Sequence, residues 1–209
     1  MGGAVGVVPL EGRDGLPFVD LHGETLLLHA VRALAEGGVS RVVVTAGPGD
    51  WSRVDRLLAG TRLPAETRVG SAWWAGASRH ERLVLADPLC PLVPARFVAR
   101  VLALAPQEGA AAGYRPVTDT VKTVVDQQIA VTLDRDALAI VASPVVLPGW
   151  LVAEETPPVH DFALLAAWIR KRCLLELVKA PSMARRVGDE SALRVLECLD
   201  ELGRLVQEA

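Results

Sequence analysis

The chain has 209 residues, an apolar fraction of 51% and a formal net charge of −3, a balance that excludes the basic footprint of a nucleic-acid-binding or anionic-membrane-binding protein. Its three cysteines are widely spaced without a C-x-x-C pair, so neither a zinc site nor a redox pair is indicated, and no apolar run approaches the roughly 20 residues of a membrane span. We therefore expect a cytoplasmic protein with a single domain over residues 1–209 and neither a nucleic-acid nor a membrane partner.

Short apolar segments alternate with amphipathic ones in the first half of the chain. Ala4–Pro9, Arg41–Ala46 and residues 82–86 are rich in Val and Leu, as buried parallel strands are. Residues 24–37 place their leucines at helical spacing and end at a glycine pair. Further helices are predicted after Asp50, which is a candidate cap, and over 94–104, and a further strand over 109–116.

This alternation predicts an α/β fold, with a mostly parallel sheet covered by helices on both faces. Ligands of such sheets bind at the carboxyl ends of the strands. The segments that follow the first three apolar strands, residues 9–15, 46–50 and 87–91, are therefore expected near one rim of the sheet.

The pattern changes after Pro116. Residues 122–126 and 128–133 alternate like a two-stranded ribbon. Gln127-Gln128 is not a preferred hairpin turn, so the pattern does not define the register. Because a two-stranded ribbon cannot bury both faces by itself, we expect a protruding β-arm over about residues 117–137 that needs a partner surface.

The C-terminal part is predicted to return to alternating helix and strand. Residues 160–173 form an amphipathic helix in this interpretation, with His160-Asp161 as a cap rather than a catalytic dyad. A strand is expected over 174–179, and a terminal helix over 189–208 has leucines along one side.

Two segments of the arm, residues 116–122 (PVTDTVK) and 132–138 (TLDRDAL), resemble a paired signature of the methylerythritol phosphate (MEP) cytidylyltransferases, which make an isoprenoid precursor. Weaker matches follow in the family's order over nearly the whole chain. They are 21–31 (LHGETLLLHAV), 76–79 (GASR), 85–91 (LADPLCP), 143–145 (SPV) and 185–187 (RRV). The resemblance implies a Rossmann-like nucleotidyltransferase fold and a homodimer built through the arm.

The reaction that the resemblance implies is attack by the phosphate of MEP on the α-phosphorus of CTP, with release of pyrophosphate. Such chemistry needs neutralised phosphate charge and in-line placement more than acid–base groups. The implied catalytic residues are Arg13 and Asp87, and Asp87 is also the implied Mg²⁺ ligand. Substrate-binding roles are implied for Asp119, Thr120, Lys122, Arg135 and Arg186, and nucleotide-binding roles for Gly12, Gly15, Gly76 and Arg79.

Alternatives remain open for several of these residues. Asp87-Pro88 also has the composition of a simple turn, and Arg13 also fits a surface turn. The arm residues also suit a solvated ribbon face; within it, Asp119 and Lys122 either pair with each other or orient a phosphate grip.

The resemblance fails on the nucleotide side. The family's first strand is followed by Ala-Ala-Gly-x-Gly-x-Arg and then Pro-Lys, whose amides and cations hold the triphosphate. Residues 10–18 (LEGRDGLPF) are shorter, lack the Lys and add two carboxylates. Ala86 and Cys90 replace a family His and Arg, and Arg82 replaces a Ser; we interpret Cys90 as a small buried thiol.

Three hypotheses follow from this asymmetry. The chain is a cytidylyltransferase with weak or altered activity, a non-catalytic relative that acts as a dimeric binding or scaffold protein, or a nucleotidyltransferase-like fold with an unrelated function. Losing one preorganised donor to a developing charge costs about 10²- to 10³-fold in rate, so losing a loop and a lysine together is enough to remove most of the catalysis.

Overall fold

The computed structural model describes residues 3–69 and 79–208. Its strands are β1 (Ala4–Pro9), β2 (Asp20–Leu21), β3 (Glu24–Thr25), β4 (Arg41–Ala46), β5 (Ala65–Val69), β6 (Arg82–Leu85), β7 (Ala110–Pro116), β8 (Lys122–Val125), β9 (Gln128–Thr132), β10 (Ala139–Pro148) and β11 (Leu175–Lys179). Its α-helices are α1 (Leu26–Glu36), α2 (Trp51–Ala59), α3 (Ala95–Leu104), α4 (Gly149–Glu154), α5 (Phe162–Arg170) and α6 (Glu190–Glu208). Within these ranges no helix has both the length and the apolar composition of a membrane span.

Seven of the described strands form one sheet in the order β11-β7-β10-β6-β1-β4-β5. β1 pairs in parallel with both β4 and β6, β4 with β5, and β7 with β11. β10 runs antiparallel to both of its neighbours, β6 and β7. The prediction of a mostly parallel sheet with helices on both faces is confirmed.

Alternation along the strands divides the core between the two faces of the sheet. Val8 of β1 packs in one apolar cluster with Leu34 of α1 and Val101 of α3. The adjacent Val7 packs in a second cluster with Leu165 and Ile169 of α5. Successive side chains of a strand point to opposite faces, so a continuous apolar run is the pattern that a sheet covered on both faces requires.

A third, smaller apolar cluster lies against the loop that follows β6. It joins Leu21 of β2 and Leu26, the first residue of α1, to Leu89 of that loop and to Leu193 and Leu196 of α6. The backbone N–H of Val187 donates to the carbonyl of Leu89 at 2.8 Å. The terminal helix therefore fixes the segment that precedes it against the loop that follows β6.

Most predicted elements are present, with shifted ends. α1 begins at Leu26 because the Thr25 hydroxyl accepts a hydrogen bond from the N–H of Leu28. Asp161 caps α5, as expected, by accepting from the N–H groups of Ala163 and Leu164. The prediction that Asp50 caps α2 is wrong. Asp50 directly precedes the helix, but its side chain makes no capping hydrogen bond.

The sequence prediction missed two strands of the main sheet. β5 is an edge strand of mixed composition, AETRV. β10 lies in the interior of the sheet, yet it contains Pro144 and ends at Pro148. A shift of register between Ala142 and Val145 accommodates this irregular segment, and prolines within sheets are confined to such places.

The predicted ribbon exists as a separate two-stranded sheet of β8 and β9. Its turn is Asp126-Gln127, one residue earlier than the pair considered from the sequence. Both residues have positive φ, 49° and 63°, which is the geometry of a tight hairpin turn.

Gly37→Ala is expected to lower the free energy of unfolding by about 1–3 kcal/mol, because overpacking is resisted in dense cores. A Cβ at position 37, directly after α1, would lie 2.6 Å from Cγ1 of Val98 and 2.7 Å from the carbonyl oxygen of Ala33. Urea denaturation measures the change. Gly49→Ala is the matched control, since no atom lies within 4 Å of its added Cβ. An equal effect of both variants would contradict close packing at Gly37.

Candidate functional site

The loop that follows β1 directs one cationic side chain inward. The N–H of Leu10 donates to the carbonyl of Thr45 at 2.9 Å, and the N–H of Arg13 donates to the carbonyl of Leu10 at 3.3 Å. Gly12 has a φ of +74°, the left-handed conformation that glycine adopts without strain. Arg13 is only 4% exposed, whereas Glu11 and Asp14 face solvent. The surface-turn interpretation of Arg13 is therefore wrong.

Asp87 lies just beyond the carboxyl end of β6 and is also buried, at 3% exposure. Its backbone N–H donates to the hydroxyl oxygen of Ser143 in β10, at 3.2 Å. Its carboxylate oxygen Oδ1 accepts from the N–H of Leu89 at 3.1 Å. Asp87 is thus held by its own turn and by the antiparallel strand next to β6.

Two arginines from distant parts of the chain meet at this carboxylate. Nε of Arg13 donates to Oδ1 of Asp87 at 2.8 Å, and Nε of Arg186 donates to Oδ2 at 2.9 Å. The Arg13 side chain is 1% exposed, whereas that of Arg186 is 54% exposed. The structure therefore brings together three of the residues that the sequence proposed, with one guanidinium at the base and one at the solvent side.

The cluster of Arg13, Asp87 and Arg186, which we call the bridge, carries a net positive charge. One carboxylate faces two guanidinium groups, which leaves a net charge of +1. Nη1 of Arg13 donates to the carbonyl of Glu11 at 2.9 Å, but its buried Nη2 has no hydrogen-bond partner within the described protein. The surplus positive charge and the 54%-exposed guanidinium of Arg186 make the bridge suited to an incoming anion.

The protein groups around Asp87 do not fit a resident Mg²⁺. Mg²⁺ requires near-octahedral oxygen ligands, but both oxygens of Asp87 already accept hydrogen bonds from guanidinium groups. The cluster of potential metal ligands found among the described residues is His22 with Glu197 and Glu201, which excludes Asp87. Mg²⁺ at Asp87 therefore stays a prediction that the protein groups around this carboxylate do not support.

A cavity of about 150 Å³ lies beside the bridge. Asp87, Arg186 and Ser143 line it together with Cys90 and Arg115. Burial, and secondarily the nearby Asp87, raises the pKa of the Cys90 thiol to about 12. At neutral pH this thiol is therefore protonated, and Cys90 is a small buried side chain rather than a nucleophile.

The proposed substrate-binding residues of the arm are exposed, and among the described residues none of them forms a hydrogen bond or an ion pair with Asp87. Lys122 donates to the hydroxyl of Thr132 at 2.8 Å, so the suggested pairing of Lys122 with Asp119 is not formed. Arg135 donates to the carbonyl of Thr118 at 2.6 Å. Asp119 and Thr120 face solvent. Substrate-binding roles for these four residues stay predictions.

The proposed nucleotide-binding residues are divided between the two ends of β6. Gly12 and Gly15 flank Arg13 in the first loop, close to Asp87. Arg79 precedes β6, at the end opposite Asp87, and its guanidinium lies 3.9 Å from the carboxylate of Glu154. Gly76 lies outside the described residues. The structure therefore does not bring Arg79 to the bridge.

Sequence reasoning did not assign Ser143 or Arg115 to the site. The sequence places Ser143 only in a family motif, because the prolines around it do not predict the strand β10. Arg115 stands near the carboxyl end of the predicted strand β7, which is the end that forms the rim. A charged residue at that position of an otherwise apolar strand is the signal that would have identified it.

The chain is similar to known proteins in both sequence and fold. The family model for 2-C-methyl-D-erythritol 4-phosphate cytidylyltransferase matches residues 12–154. A protein of that name from Saccharopolyspora erythraea is 32% identical over 162 residues, covering 67% of this chain and 72% of the relative. A "Bifunctional enzyme IspD/IspF" from an Anaeromyxobacter species is 31% identical over 177 residues, covering 78% of this chain. The chain spans only 45% of the length of that bifunctional relative.

Solved structures support the same fold. The 4-diphosphocytidyl-2C-methyl-D-erythritol synthase of Anaerococcus prevotii aligns with a TM-score of 0.79 at 12% identity, covering 96% of each chain. The 2-C-methyl-D-erythritol 4-phosphate cytidylyltransferase of Thermus thermophilus aligns with a TM-score of 0.73 at 23% identity, covering 95% of this chain and 98% of that one. From the family model and the Saccharopolyspora relative together, this chain belongs to the 2-C-methyl-D-erythritol 4-phosphate cytidylyltransferase family.

Proposed function

We propose that this protein transfers a cytidylyl group from CTP to 2-C-methyl-D-erythritol 4-phosphate and releases pyrophosphate. The observation that supports this most is the bridge of Arg13, Asp87 and Arg186 at the carboxyl ends of the strands, in a member of this family. A phosphate oxygen of the acceptor attacks the α-phosphorus and forms a new P–O bond. The bond from the α-phosphorus to the β-phosphate oxygen breaks, and pyrophosphate leaves with that electron pair.

In this proposal the arginines neutralise phosphate charge while Asp87 positions them. Arg13 compensates for the missing lysine of the first loop, because its guanidinium is fixed at the base of the site. Arg186 is half exposed, so it is able to leave Asp87 and follow an incoming phosphate. Guanidinium groups bind phosphate oxygens bidentately, and preorganised charge at the reacting centre is the dominant contribution to such catalysis.

We also propose that the chain forms a homodimer through its arm, which we define as residues 117–137. Val124 and Ile129 are paired across β8 and β9 and are 64% and 70% exposed. Large apolar side chains on an isolated two-stranded ribbon indicate a surface that another protein covers. The arm also holds Asp119, Thr120 and Arg135, for which we propose contacts to the substrate of the neighbouring subunit.

One feature favours the alternative, a non-catalytic dimeric binding or scaffold protein. The first loop is a tight turn whose Glu11 and Asp14 face solvent, and two carboxylates near a triphosphate repel it. In this second proposal the site retains a cationic bridge for a phosphorylated ligand but does not hold the nucleotide for reaction.

Pyrophosphate release by the purified protein with CTP and MEP, with and without Mg²⁺, distinguishes the two proposals. Release that requires both organic substrates supports the transferase, and the Mg²⁺ dependence tests the expected metal. Replacing CTP by ATP, GTP or UTP tests the base. No release at micromolar enzyme with any of the four nucleotides would contradict the transferase proposal and leave the binding protein.

A further inference from the structure

Arg115 is a half-buried cation at the edge of the site. It lies on β7, opposite Ile140 of β10, and lines the 150 Å³ cavity beside Asp87. Among residues 3–69 and 79–208 no carboxylate forms an ion pair with it, and no hydrogen bond from its guanidinium is present. The other two arginines of the site donate to Asp87, so Arg115 differs from both.

The surroundings of Arg115 disfavour a positive charge. Burial lowers the pKa of Arg115, and the nearby Arg185 lowers it further by repulsion between like charges. Partial removal of a cation from water is unfavourable unless an anion compensates for the lost hydration. An anionic ligand in the cavity supplies that compensation without breaking any contact within the protein.

The remaining cavity lining defines the type of ligand. Ile140 and Phe162 offer apolar surface to a short carbon skeleton. The hydroxyl oxygen of Ser143 accepts from the N–H of Asp87, which leaves its O–H free to donate. A cavity of about 150 Å³, lined by a guanidinium that has no ion-pair partner among the described residues, suits a small phosphorylated alcohol rather than a nucleotide.

We propose that Arg115 binds the phosphate group of the second substrate, a short-chain polyol phosphate, in the cavity beside Asp87. This inference rests on the proposed function and adds the specificity-determining residue of the acceptor side. Cys90 lines the same cavity at the position where the family motif has an arginine. Arg115 of β7 thus supplies the positive charge that the loop after β6 lacks.

The test is equilibrium binding of MEP and of unphosphorylated 2-C-methyl-D-erythritol, measured by isothermal titration calorimetry without nucleotide. Hydrogen bonds to charged groups contribute about 1.5–3 kcal/mol, so we expect Arg115→Ala to weaken MEP binding by about 10- to 100-fold. Arg115→Lys should restore part of the loss, since it keeps the charge but not the bidentate geometry. Weak binding of the unphosphorylated alcohol should not change.

Arg100→Ala is the matched control, because it removes the same charge from an exposed position of α3 and should leave MEP binding unchanged. Wild-type affinity of Arg115→Ala for MEP, or equal losses for the phosphorylated and unphosphorylated ligands, would overturn the proposal. MEP binding that depends on Arg115 without pyrophosphate release would reject the transferase and retain the inference. Turnover by the Arg115→Ala variant with an unchanged KM for MEP would reject the inference and retain the transferase proposal.

Discussion

Asp87→Ala is expected to abolish pyrophosphate release and to lower the free energy of unfolding by about 3–5 kcal/mol, the cost of breaking a buried ion pair from one side. Without its carboxylate, the 1%-exposed Arg13 side chain keeps only the carbonyl of Glu11 as an acceptor. The exposed half of the bridge contributes little, since a pair with a half-exposed arginine is worth about 0–1 kcal/mol. The loss of stability therefore originates at Arg13.

Two companion variants separate stability from chemistry. Arg186→Ala is expected to reduce turnover with a loss of stability below about 1 kcal/mol, because that side chain is 54% exposed. The double variant Arg13→Met with Asp87→Leu replaces a buried charge pair by apolar groups, a change that is often neutral for stability. It should unfold near the wild-type urea midpoint and remain inactive. Turnover that persists in Asp87→Ala would remove Asp87 from the mechanism.

Ile129→Asp is expected to convert a homodimer into monomers. Ile129 is the most exposed of the large apolar residues of the arm, at 70%, and it is paired with Val124. Burial of such a side chain contributes about 1.5–3 kcal/mol, and an unpaired carboxylate placed in the interface adds a desolvation penalty. Light scattering after size-exclusion chromatography measures the mass. Because β8 and β9 pair only with each other among the described strands, the fold of the main sheet should be unaffected.

Gln128→Asp is the control for this prediction. Gln128 is adjacent to Ile129 on β9 and is exposed, so its side chain points to the opposite face of the ribbon and the variant introduces the same charge. It should remain dimeric. Deletion of residues 121–132 provides a second variant with the expected outcome of Ile129→Asp. A dimer that survives both changes would contradict assembly through the arm, as would a monomeric wild-type protein.

The turn of the arm lacks the local sequence signal from which a tight turn is usually predicted. Alternation over residues 122–133 was sufficient to predict two paired strands, because a period of two is a property of adjacent residues. The turn at Asp126-Gln127 has two left-handed residues but neither an Asn nor a Gly. The usual signal for such a turn was therefore missing, and the register followed only from the structure.

β10 shows the opposite effect, in which tertiary structure overrides a local rule. Pro144 and Pro148 argue against an interior strand, because proline does not donate to a sheet ladder. The structure nevertheless pairs β10 with β6 and β7, with a change of register beside Pro144. Pairing of segments that are far apart in the chain compensates for a poor local preference, and a single sequence does not reveal such partners.

The sequence by itself determined the α/β class, the protruding arm and the family motifs, since each of these depends on neighbouring residues or on their order. Only the tertiary structure decided how the candidate site is assembled. Arg13 and Arg186 are separated from Asp87 by 74 and 99 positions, and packing of the sheet and of α6 brings all three together. The same packing places Arg115 at the cavity with no counterion in the part of the chain that the structure describes, because burial and charge balance depend on contacts that no local pattern encodes.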